Sequence, residues 1–281
     1  MGMEVAVLGM GRMGTALAGR LLRGGHEVVV WNRSPGKVTK LVSAGAREAD
    51  SIARTMRTAE VALTSLSDDA AVREVALGEA GVRASIGDRT YVECSTVSPK
   101  LTGELAEVFA RFVAMPVLGG PASVESGEAT YLVGTSDATR RLITPILTSL
   151  GGALHHYSSA PLASTAKLAV NLLRLTEVVS LAEAFAVGRA GGLVDAQLRE
   201  LLWDVVAPGI RNRFEALLGI PQGGWWTTLL GAKDVGLAVD LGKGTGVELR
   251  VAVAVQDAFR RVATAGYEDD DIAAVHHLYR A

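Results

Sequence analysis

The chain has 281 residues, of which 49% are hydrophobic and 21% are charged, so it can bury a sizeable core and is too apolar for a disordered chain. Its formal net charge of -2 argues against a nucleic-acid partner, and its single cysteine, Cys94, excludes an internal disulfide and a cysteine-rich metal site. It has no basic-then-apolar leader and no run of about 18 uncharged apolar residues, so we expect a cytoplasmic protein without a membrane partner.

In chain order, the first part alternates short apolar runs with segments of helical pattern. The strand-like runs are residues 5–8, 28–31, 61–66, 91–93, 112–117 and 130–133. The helix-like segments between them include residues 14–22, 35–44 and 69–77. This alternation is typical of a mostly parallel sheet covered by helices on both faces. It predicts an α/β fold with an N-terminal Rossmann-type, doubly wound sheet.

After Tyr157 the pattern changes to alanine, leucine and arginine, with few strand-like runs. Glycine and proline clusters at 191–192, 208–209, 221–224 and 242–246 predict breaks between helices. We therefore predict an all-helical C-terminal domain, with residues 1–158 as the sheet domain and 159–281 as the helical one.

A glycine turn follows the first strand-like run. Gly9, Gly11 and Gly14 form G-x-G-x-x-G directly before a helical segment. The first glycine permits a tight turn, the second lets the backbone approach a pyrophosphate, and the third lets helix and strand pack closely. Because the free N–H groups of a helix N-terminus attract phosphates, we assign the turn and its intervening residues to a dinucleotide site. The intervening residues are Met10, Arg12 and Met13.

The end of the second strand-like run indicates which dinucleotide binds. An acid there would bind the adenosine ribose hydroxyls and repel a 2′-phosphate. This chain instead has Asn32, Arg33 and Ser34, with Lys37 further on. Arginine can pair with a phosphate bidentately, so the pattern favours NADP(H) over NAD(H). The alternative is that Arg33 is only a solvated surface residue.

A polar stripe marks the long apolar helix predicted over residues 162–187, which ends at Gly188 or at Gly191-Gly192. Its members share one helical face and are Ser164, Lys167, Asn171 and Arg174. In one interpretation Lys167 extends to solvent or forms a salt bridge. In the other it faces a cleft between the two halves. In a cleft, its ammonium could stabilise a developing alkoxide and exchange a proton with it.

Several loops should converge on the same region, because ligands of open α/β sheets bind beyond the carboxyl ends of the strands. Ser95 and Thr96 end one strand, and Gly119 and Gly120 follow another with backbone N–H groups available to an anion. Lys233 and Asp234 stand at a predicted helix start, where Asp234 could be a cap alone. The histidine pairs at 155–156 and 276–277 lack completing ligands, so we predict no metal site.

Five sequence blocks, in order, resemble the β-hydroxyacid dehydrogenases, the group of 3-hydroxyisobutyrate dehydrogenase and the glyoxylate/succinic semialdehyde reductases. The blocks are GMGRMGTALAGRLLRGGHEVVVWNR, ECSTVSP, AMPVLGG, KLAVN and KDVGLA. The resemblance implies a catalytic Lys167, with Asn171 orienting the substrate. It also implies the following contacts: Thr96 near the nicotinamide, Gly119 and Gly120 on the substrate carboxylate, and Lys233 beside the cofactor. We further assign Leu66 and Ser67 to the cofactor and Ser95 and Leu118 to the substrate.

The chain departs from the family pattern in its substrate loop. Leu118 replaces the family serine, Ala114 the acid, and Val170 the first asparagine of the pair. The pocket is therefore expected to be more apolar, so 3-hydroxyisobutyrate itself is not assumed. Imine reductases are a related group that resembles this chain in lacking the serine, but they usually lack the lysine.

These observations predict an NADP(H)-dependent oxidoreductase that transfers a hydride between the cofactor and a small 3-hydroxy acid or semialdehyde. Lys167 would be its proton donor and acceptor. An NADPH-dependent imine reductase is the second hypothesis, and an NADPH-binding protein without turnover is the third. The resemblance also implies a homodimer or higher homo-oligomer, with the long helix forming much of the interface.

Overall fold

The computed structural model describes residues 2–34, 36–211, 213–217 and 224–279. The chain divides into two compact units, Met1–Lys167 and Leu168–Ala281. The first contains a parallel-dominated sheet with helices and the second is helical, so the predicted fold class is confirmed. In the described stretches no helix is both long and apolar enough to cross a membrane.

One sheet organises the first unit. Its described strands are β1 (Glu4–Leu8), β2 (Glu27–Trp31), β3 (Arg47–Glu48), β4 (Val61–Thr64), β5 (Thr90–Glu93), β6 (Phe112–Ala114), β7 (Val117–Leu118), β8 (Thr130–Gly134) and β9 (Ala153–Tyr157). Their spatial order is β3-β2-β1-β4-β5-β6-β8-β7, with β9 also paired to β8. From β3 to β6 all neighbours are parallel, whereas β8 is antiparallel to β6 and β7. The carboxyl ends of β1, β2, β4, β5 and β6 therefore share one edge.

The apolar strands are buried on both faces. In β1, Val5 and Val7 belong to one hydrophobic cluster, whereas Ala6 and Leu8 belong to another. Successive side chains of a strand point to opposite faces, so each face of the sheet has its own core. This explains why β1 is a continuous apolar run rather than an alternating one.

Each predicted strand-like run contains a strand, but the run 112–117 is two strands. Met115 and Pro116 separate β6 from β7. Proline has no N–H for the ladder, which favours an interruption there. The prediction missed β3 and β9. β9 contains His155 and His156, and its exposed residues leave no apolar alternation to detect.

The helices of the first unit fill the connections between strands. They are α1 (Arg12–Arg23), α2 (Thr39–Ser43), α3 (Ile52–Thr55), α4 (Asp69–Leu77), α5 (Pro99–Val108), α6 (Pro121–Ser126), α7 (Asp137–Leu142) and α8 (Thr144–Leu150), with a 3-10 turn at Val82–Ala84. α1 begins two residues earlier than predicted, after the N-cap Gly11. α2 is shorter than the predicted 35–44, of which Pro35 lies outside the described residues.

The second unit packs helices around its own core. Helix α9 (Ala160–Ala190) enters it from the first unit. The others are α10 (Asp195–Trp203), α11 (Pro208–Arg211), α12 (Phe214–Leu217), α13 (Thr228–Thr245) and α14 (Arg250–Val262), followed by a π-helical turn, Ala263–Tyr267, and a 3-10 helix, Ile272–Tyr279. Leu175, Phe185, Val235 and Phe259 are among the fully buried residues of this core.

Glycines end two of these helices, both within predicted breaks. α9 passes through Gly188 and ends before Gly191-Gly192. The predicted break at 242–246 is confirmed at its last residue, since α13 continues to Thr245 and ends at Gly246 with φ +75°. A Cβ at Gly242 would lie 2.8 Å from the Val247 carbonyl oxygen, so this glycine serves the packing of the returning chain. The predicted break at 221–224 lies outside the described residues except for Gly224.

The glycine turn joins β1 to α1 by backbone contact. Gly9 has φ +97°, in the left-handed region that favours glycine. A Cβ on Gly14 would lie 1.9 Å from the Gly9 carbonyl oxygen, so α1 packs directly on the turn. At Gly11, in contrast, a Cβ would have no atom within 4 Å and φ is -72°. The first and third glycines are thus sterically required by the fold, whereas the second faces open space.

We therefore expect Gly14→Ala to lower the free energy of unfolding by about 2–3 kcal/mol, because the added methyl group overlaps backbone that cannot move independently. Gly11→Ala is the matched control and should cost no more than about 1 kcal/mol. Urea denaturation of both variants measures the difference. Equal stabilities would contradict the packing role of Gly14.

Candidate active site

A cavity of about 560 Å³ opens at the carboxyl edge of the sheet in the first unit. The strand order reverses between β1 and β4, which is where open α/β sheets bind ligands. Seven of the predicted cofactor residues line this cavity. They are Gly9, Asn32, Arg33, Ser34, Lys37, Leu66 and Ser67. The sequence thus brings together, in space, residues spread over the ends of three strands.

Beside the cavity, the start of α1 provides the remaining part of the turn. Gly11 is the N-cap, and the space that a Cβ on it would occupy is open. Arg12 and Met13 are the first residues of the helix. The first N–H groups of a helix have no partner within it. A phosphate group is the type of ligand that such an end attracts.

Asn32 ties the glycine turn to the following loop. Its Oδ1 accepts a hydrogen bond of 2.9 Å from the Met10 N–H, and its Nδ2 donates one of 2.7 Å to the Ser34 carbonyl oxygen. The Met10 amide is therefore already used within the protein. These two hydrogen bonds are not predictable from the sequence pattern, which distinguishes Asn32 only as a position without an acid.

Arg33 forms a surface ion pair at the cavity wall. Its Nη1 lies 3.4 Å from Glu74 Oε2, and the two side chains are 77% and 65% exposed. Exposed pairs of this kind contribute little stability, so a doubly charged phosphate could displace Glu74. Ser34 and Lys37 line the same wall. This wall thus presents two cationic side chains and a hydroxyl group, which suit an anion.

A buried carboxylate stands at the carboxyl end of β5. Glu93 is 1% exposed, and its Oε1 accepts a 2.7 Å hydrogen bond from the Ser95 N–H. Its Oε2 accepts from Thr64 Oγ1 at 2.5 Å and from the Tyr91 hydroxyl at 2.9 Å. Burial raises the pKa of Glu93, while the bonds from Ser95, Thr64 and Tyr91 act to lower it. The predicted substrate residue Ser95 is itself buried, and its Oγ accepts from the Leu66 N–H.

The predicted catalytic lysine lies against the predicted substrate loop. Lys167 is 7% exposed, and its Nζ donates a 2.6 Å hydrogen bond to the Val117 carbonyl oxygen. Leu118, Gly119 and Gly120 follow directly; Gly119 has φ +119°, and Gly120 is the N-cap of α6. The alternative in which Lys167 extends to solvent is therefore wrong. A buried ammonium donor stands at the edge of a glycine loop.

The rest of the polar stripe of α9 is also withdrawn from solvent. Ser164 is 2% exposed, and its Oγ donates to Thr102 Oγ1 at 3.2 Å. Asn171 is 2% exposed, whereas Arg174 is half-buried. Buried polar side chains need partners, and a helix otherwise rich in leucine and alanine holds several on one face.

In the second unit, Asn171 belongs to a cluster around Asp234. Asp234 Oδ2 accepts hydrogen bonds from Asn171 Nδ2 at 2.8 Å and from the Trp226 indole N–H at 3.2 Å. Lys233 Nζ lies 2.7 Å from Asp234 Oδ1. The prediction that Asp234 could be a helix cap is wrong, because α13 begins at Thr228 with Thr227 as its N-cap. Asp234 is a buried acceptor in the helix interior, 3% exposed.

Two residues of these sites were missed by sequence reasoning. The sequence pattern includes Glu93 only as the first residue of ECSTVSP and Asp234 only as a possible helix cap. A charged residue at the end of an otherwise apolar strand, or inside a helix rich in small apolar residues, was the available signal. Among the described residues, no group of three or more His, Cys, Asp or Glu could hold a metal ion.

Comparison with known families identifies both parts of the chain. Residues 4–158 match the family described as the NAD binding domain of 6-phosphogluconate dehydrogenase. Residues 162–279 match the NAD-binding domain of NADP-dependent 3-hydroxyisobutyrate dehydrogenase. The two matches place the chain in the dehydrogenase class that combines a pyridine-nucleotide-binding sheet domain with a helical domain. The chain belongs to the β-hydroxyacid dehydrogenase family, so the resemblance inferred from the motifs is confirmed.

Individual relatives extend over the whole chain. A 3-hydroxyisobutyrate dehydrogenase of Pseudomonas aeruginosa is 29% identical, covering 99% of this chain and 98% of its own. The Mycobacterium tuberculosis 3-hydroxyisobutyrate dehydrogenase structure with L-serine is 25% identical, has a TM-score of 0.86 and is covered fully, as is this chain. An imine reductase from a Pseudomonas species, 22% identical, has a TM-score of 0.65 with full coverage of both chains. The last likeness shows a shared fold alone.

The raised pKa of Glu93 gives a pH-dependent stability. The folded chain holds the proton more tightly than the unfolded chain, whose carboxyl titrates near 4.5. The resulting stabilisation is present below that pH and is lost as the pH rises through the folded-state pKa. The neighbours Tyr91 and Cys94 have pKa values raised well above their ordinary ranges, so neither titrates in this window.

We therefore expect the unfolding free energy of the wild type, relative to Glu93→Gln, to fall as the pH rises from about 4 and to level off above the folded-state pKa. Urea denaturation of both proteins between about pH 4 and 8 measures this difference. A difference that is constant, or that grows with pH, would contradict the raised pKa.

Proposed function

We propose that the chain is an NADP(H)-dependent oxidoreductase acting on a small 3-hydroxy acid or semialdehyde, with residues 1–158 as the cofactor domain and 159–281 as the helical domain. The bound cofactor would supply or accept the hydride at C4 of its nicotinamide. The observation that carries the proposal is Lys167, a buried ammonium bonded to the Val117 carbonyl oxygen at the glycine loop. Burial of a lysine is expensive unless its charge is used or paired.

The cofactor residues fit a dinucleotide. Gly11 leaves open space where a pyrophosphate would approach, and Gly9 and Gly14 bring α1 close to the turn. Arg33, Ser34 and Lys37 are suited to a 2′-phosphate, which supports NADP(H). Asn32 contributes by holding the turn and this loop together. The further residues we assign to the cofactor are Met10, Arg12, Met13, Leu66, Ser67, Thr96 and Lys233.

Lys167 would move the hydroxyl proton. As an ammonium it can donate to an oxygen that gains charge as a carbonyl is reduced, and as an amine it can accept that proton in the reverse direction. Its bond to Val117 fixes it at the residue before Leu118, where we place the substrate together with Ser95, Gly119 and Gly120. Asn171, one turn further along α9, donates one N–H to Asp234 and retains an amide oxygen and a second N–H for orienting the substrate.

Leu118 shapes the substrate preference. A leucine offers no hydrogen bond where the family pattern has a serine, and one such bond to a carboxylate is worth roughly 1.5–3 kcal/mol. The carboxylate would then depend on the backbone N–H groups of the glycine loop. We therefore infer a substrate with a more apolar body than 3-hydroxyisobutyrate.

The same leucine supports a second candidate function, reduction of cyclic imines. One assay separates the candidates: NADPH oxidation and NADP⁺ reduction, each also with the non-phosphorylated cofactor, over semialdehydes, glyoxylate, 3-hydroxy acids and cyclic imines. Turnover of hydroxy acids or aldehydes supports our proposal, whereas turnover of imines alone supports the second function. Cofactor binding without any turnover would indicate a non-catalytic binding protein.

Lys167→Ala should lower kcat by about 10²- to 10⁴-fold, the usual contribution of a proton-transfer group, without loss of NADPH binding. Lys167→Arg is the matched variant, because it keeps a cationic donor for Val117 but cannot give up its proton near neutral pH. Steady-state kinetics and NADPH titration of both variants test this. Normal turnover by either would place the proton transfer elsewhere.

Arg33→Ala should weaken NADPH binding by roughly 10- to 100-fold and leave NADH binding almost unchanged, because only the 2′-phosphate is lost as a partner. Glu74→Gln should act in the opposite direction, tightening NADPH by up to about fivefold, because it frees Arg33 from a competing carboxylate. Fluorescence titration with both nucleotides measures the preference. Equal affinity of the wild type for NADH and NADPH would overturn the cofactor assignment.

We also propose a homodimer, in the cytoplasm, formed through the exposed face of α9. Leu173 and Val187 of this helix are 64% and 73% exposed, and such apolar residues are normally covered by a partner when they cluster. Sedimentation should give a mass twice the 29.3 kDa of one chain, and Leu173→Glu should shift that mass towards the mass of a single chain. Val42→Glu, at an exposed position of the first unit, should leave the mass unchanged. A monomeric wild type would contradict the dimer.

A further inference from the structure

Glu93 is an acid buried among neutral donors. Within the described residues, its hydrogen-bond donors are the Ser95 N–H and the hydroxyls of Thr64 and Tyr91. Thr64 and Tyr91 are fully buried. Burial of a carboxylate is costly, and these bonds offset only part of the cost, as the raised pKa of Glu93 indicates. An apolar side chain would fill this position with no such cost, so packing does not explain the acid.

The bonds of Glu93 link the ends of two neighbouring strands. Thr64 is the last residue of β4, and it donates to Glu93, the last residue of β5. Glu93 accepts from the Ser95 N–H, and Ser95 Oγ accepts from the Leu66 N–H, two residues beyond Thr64. These hydrogen bonds therefore run from the end of β4 to the end of β5 and back to the loop that follows β4. It fixes two backbone amides, one in each loop.

A second set of hydrogen bonds lies further along the same two loops. Asp69, in the first turn of α4, accepts from the Ser98 N–H at 2.9 Å and from its hydroxyl. The loops after β4 and β5 are therefore joined by two sets of hydrogen bonds, the first at Glu93 and Ser95 and the second at Asp69 and Ser98. Leu66, which lines the cavity, belongs to the first set of bonds. Ser67, which also lines the cavity, and Thr96, assigned to the nicotinamide, lie between the two sets.

We propose that Glu93 is a positioning residue, which acts through Ser95 and Leu66 to hold both loops in the conformation that receives the cofactor. The inference rests on the proposed function, since it concerns the same cofactor site. It assigns Glu93 no contact with the reacting atoms. Its role is to set the direction of two backbone amides before the cofactor arrives, which lowers the ordering cost of binding.

Two substitutions of similar length separate positioning from packing. Glu93→Met has no strong acceptor and leaves the Ser95 N–H unpaired. Glu93→Gln retains an amide oxygen for Ser95, and the hydroxyls of Thr64 and Tyr91 can rotate to accept from its NH₂ group. Thr135→Val is the matched control, because it removes a 2.7 Å bond to the Phe112 carbonyl oxygen at the opposite edge of the sheet.

We expect Glu93→Met to raise the Kd for NADPH at least about tenfold, Glu93→Gln to stay within about threefold of the wild type, and Thr135→Val to leave the Kd unchanged. Hydrogen exchange measured without cofactor should show lost protection at residues 64–68 and 93–98 in Glu93→Met alone. Thermal unfolding of each variant shows whether a change in Kd arises only from a less stable fold.

An unchanged NADPH Kd in Glu93→Met would overturn the positioning role and leave the proposed function standing. A tenfold loss in Glu93→Gln as well, with its exchange protection intact, would also overturn it. A wild type that binds neither NADPH nor NADH would overturn the proposed function and, with it, the positioning role. The exchange data would then show only that Glu93 orders the loops.

Discussion

Parallel pairing of β1 with β4, and of β4 with β5, places three carboxyl ends side by side. The glycine turn, the Leu66 loop and the Ser95 loop each follow one of these ends, so their proximity is a result of strand register. The register is enforced on both faces, because a slip of one residue would exchange Val5 and Ala6 between two different cores. Any loop attached to these strands therefore has a fixed origin.

Both units bury polar groups that contribute little to packing. The first unit holds Glu93 and Lys167, and the second holds Asn171 and Asp234. Each has hydrogen-bond partners, yet hydrophobic residues of similar volume are often equally stabilising at such positions. Cores retain groups of this kind where they serve binding or chemistry. This is the physical reason for attributing function to them rather than to the more numerous surface charges.

The sequence was sufficient for features that depend on local patterns. Apolar runs located the strands around Val5 and Val61, and the three-and-four spacing located the stripe with Lys167. It was insufficient where a partner from a distant segment decides the outcome. β9 forms because β8 offers an edge, not because residues 153–157 alternate. The Thr64–Glu93 and Asn171–Asp234 hydrogen bonds span 29 and 63 residues, which no spacing rule covers. Gly242 is explained only by the chain that returns over it.

Asn32 links the glycine turn to the proposed cofactor specificity of the chain. Its amide accepts from Met10 and donates to Ser34, so the glycine turn and the loop that carries Arg33 are joined through one side chain. An aspartate at this position would still accept from Met10 but would face the Ser34 carbonyl with a second negative oxygen. The same substitution that supplies a ribose acceptor would thus release the arginine loop. On the proposed assignment to NADP(H), one substitution would therefore change both the ribose contact and the hold on Arg33, and the reverse substitution would restore both.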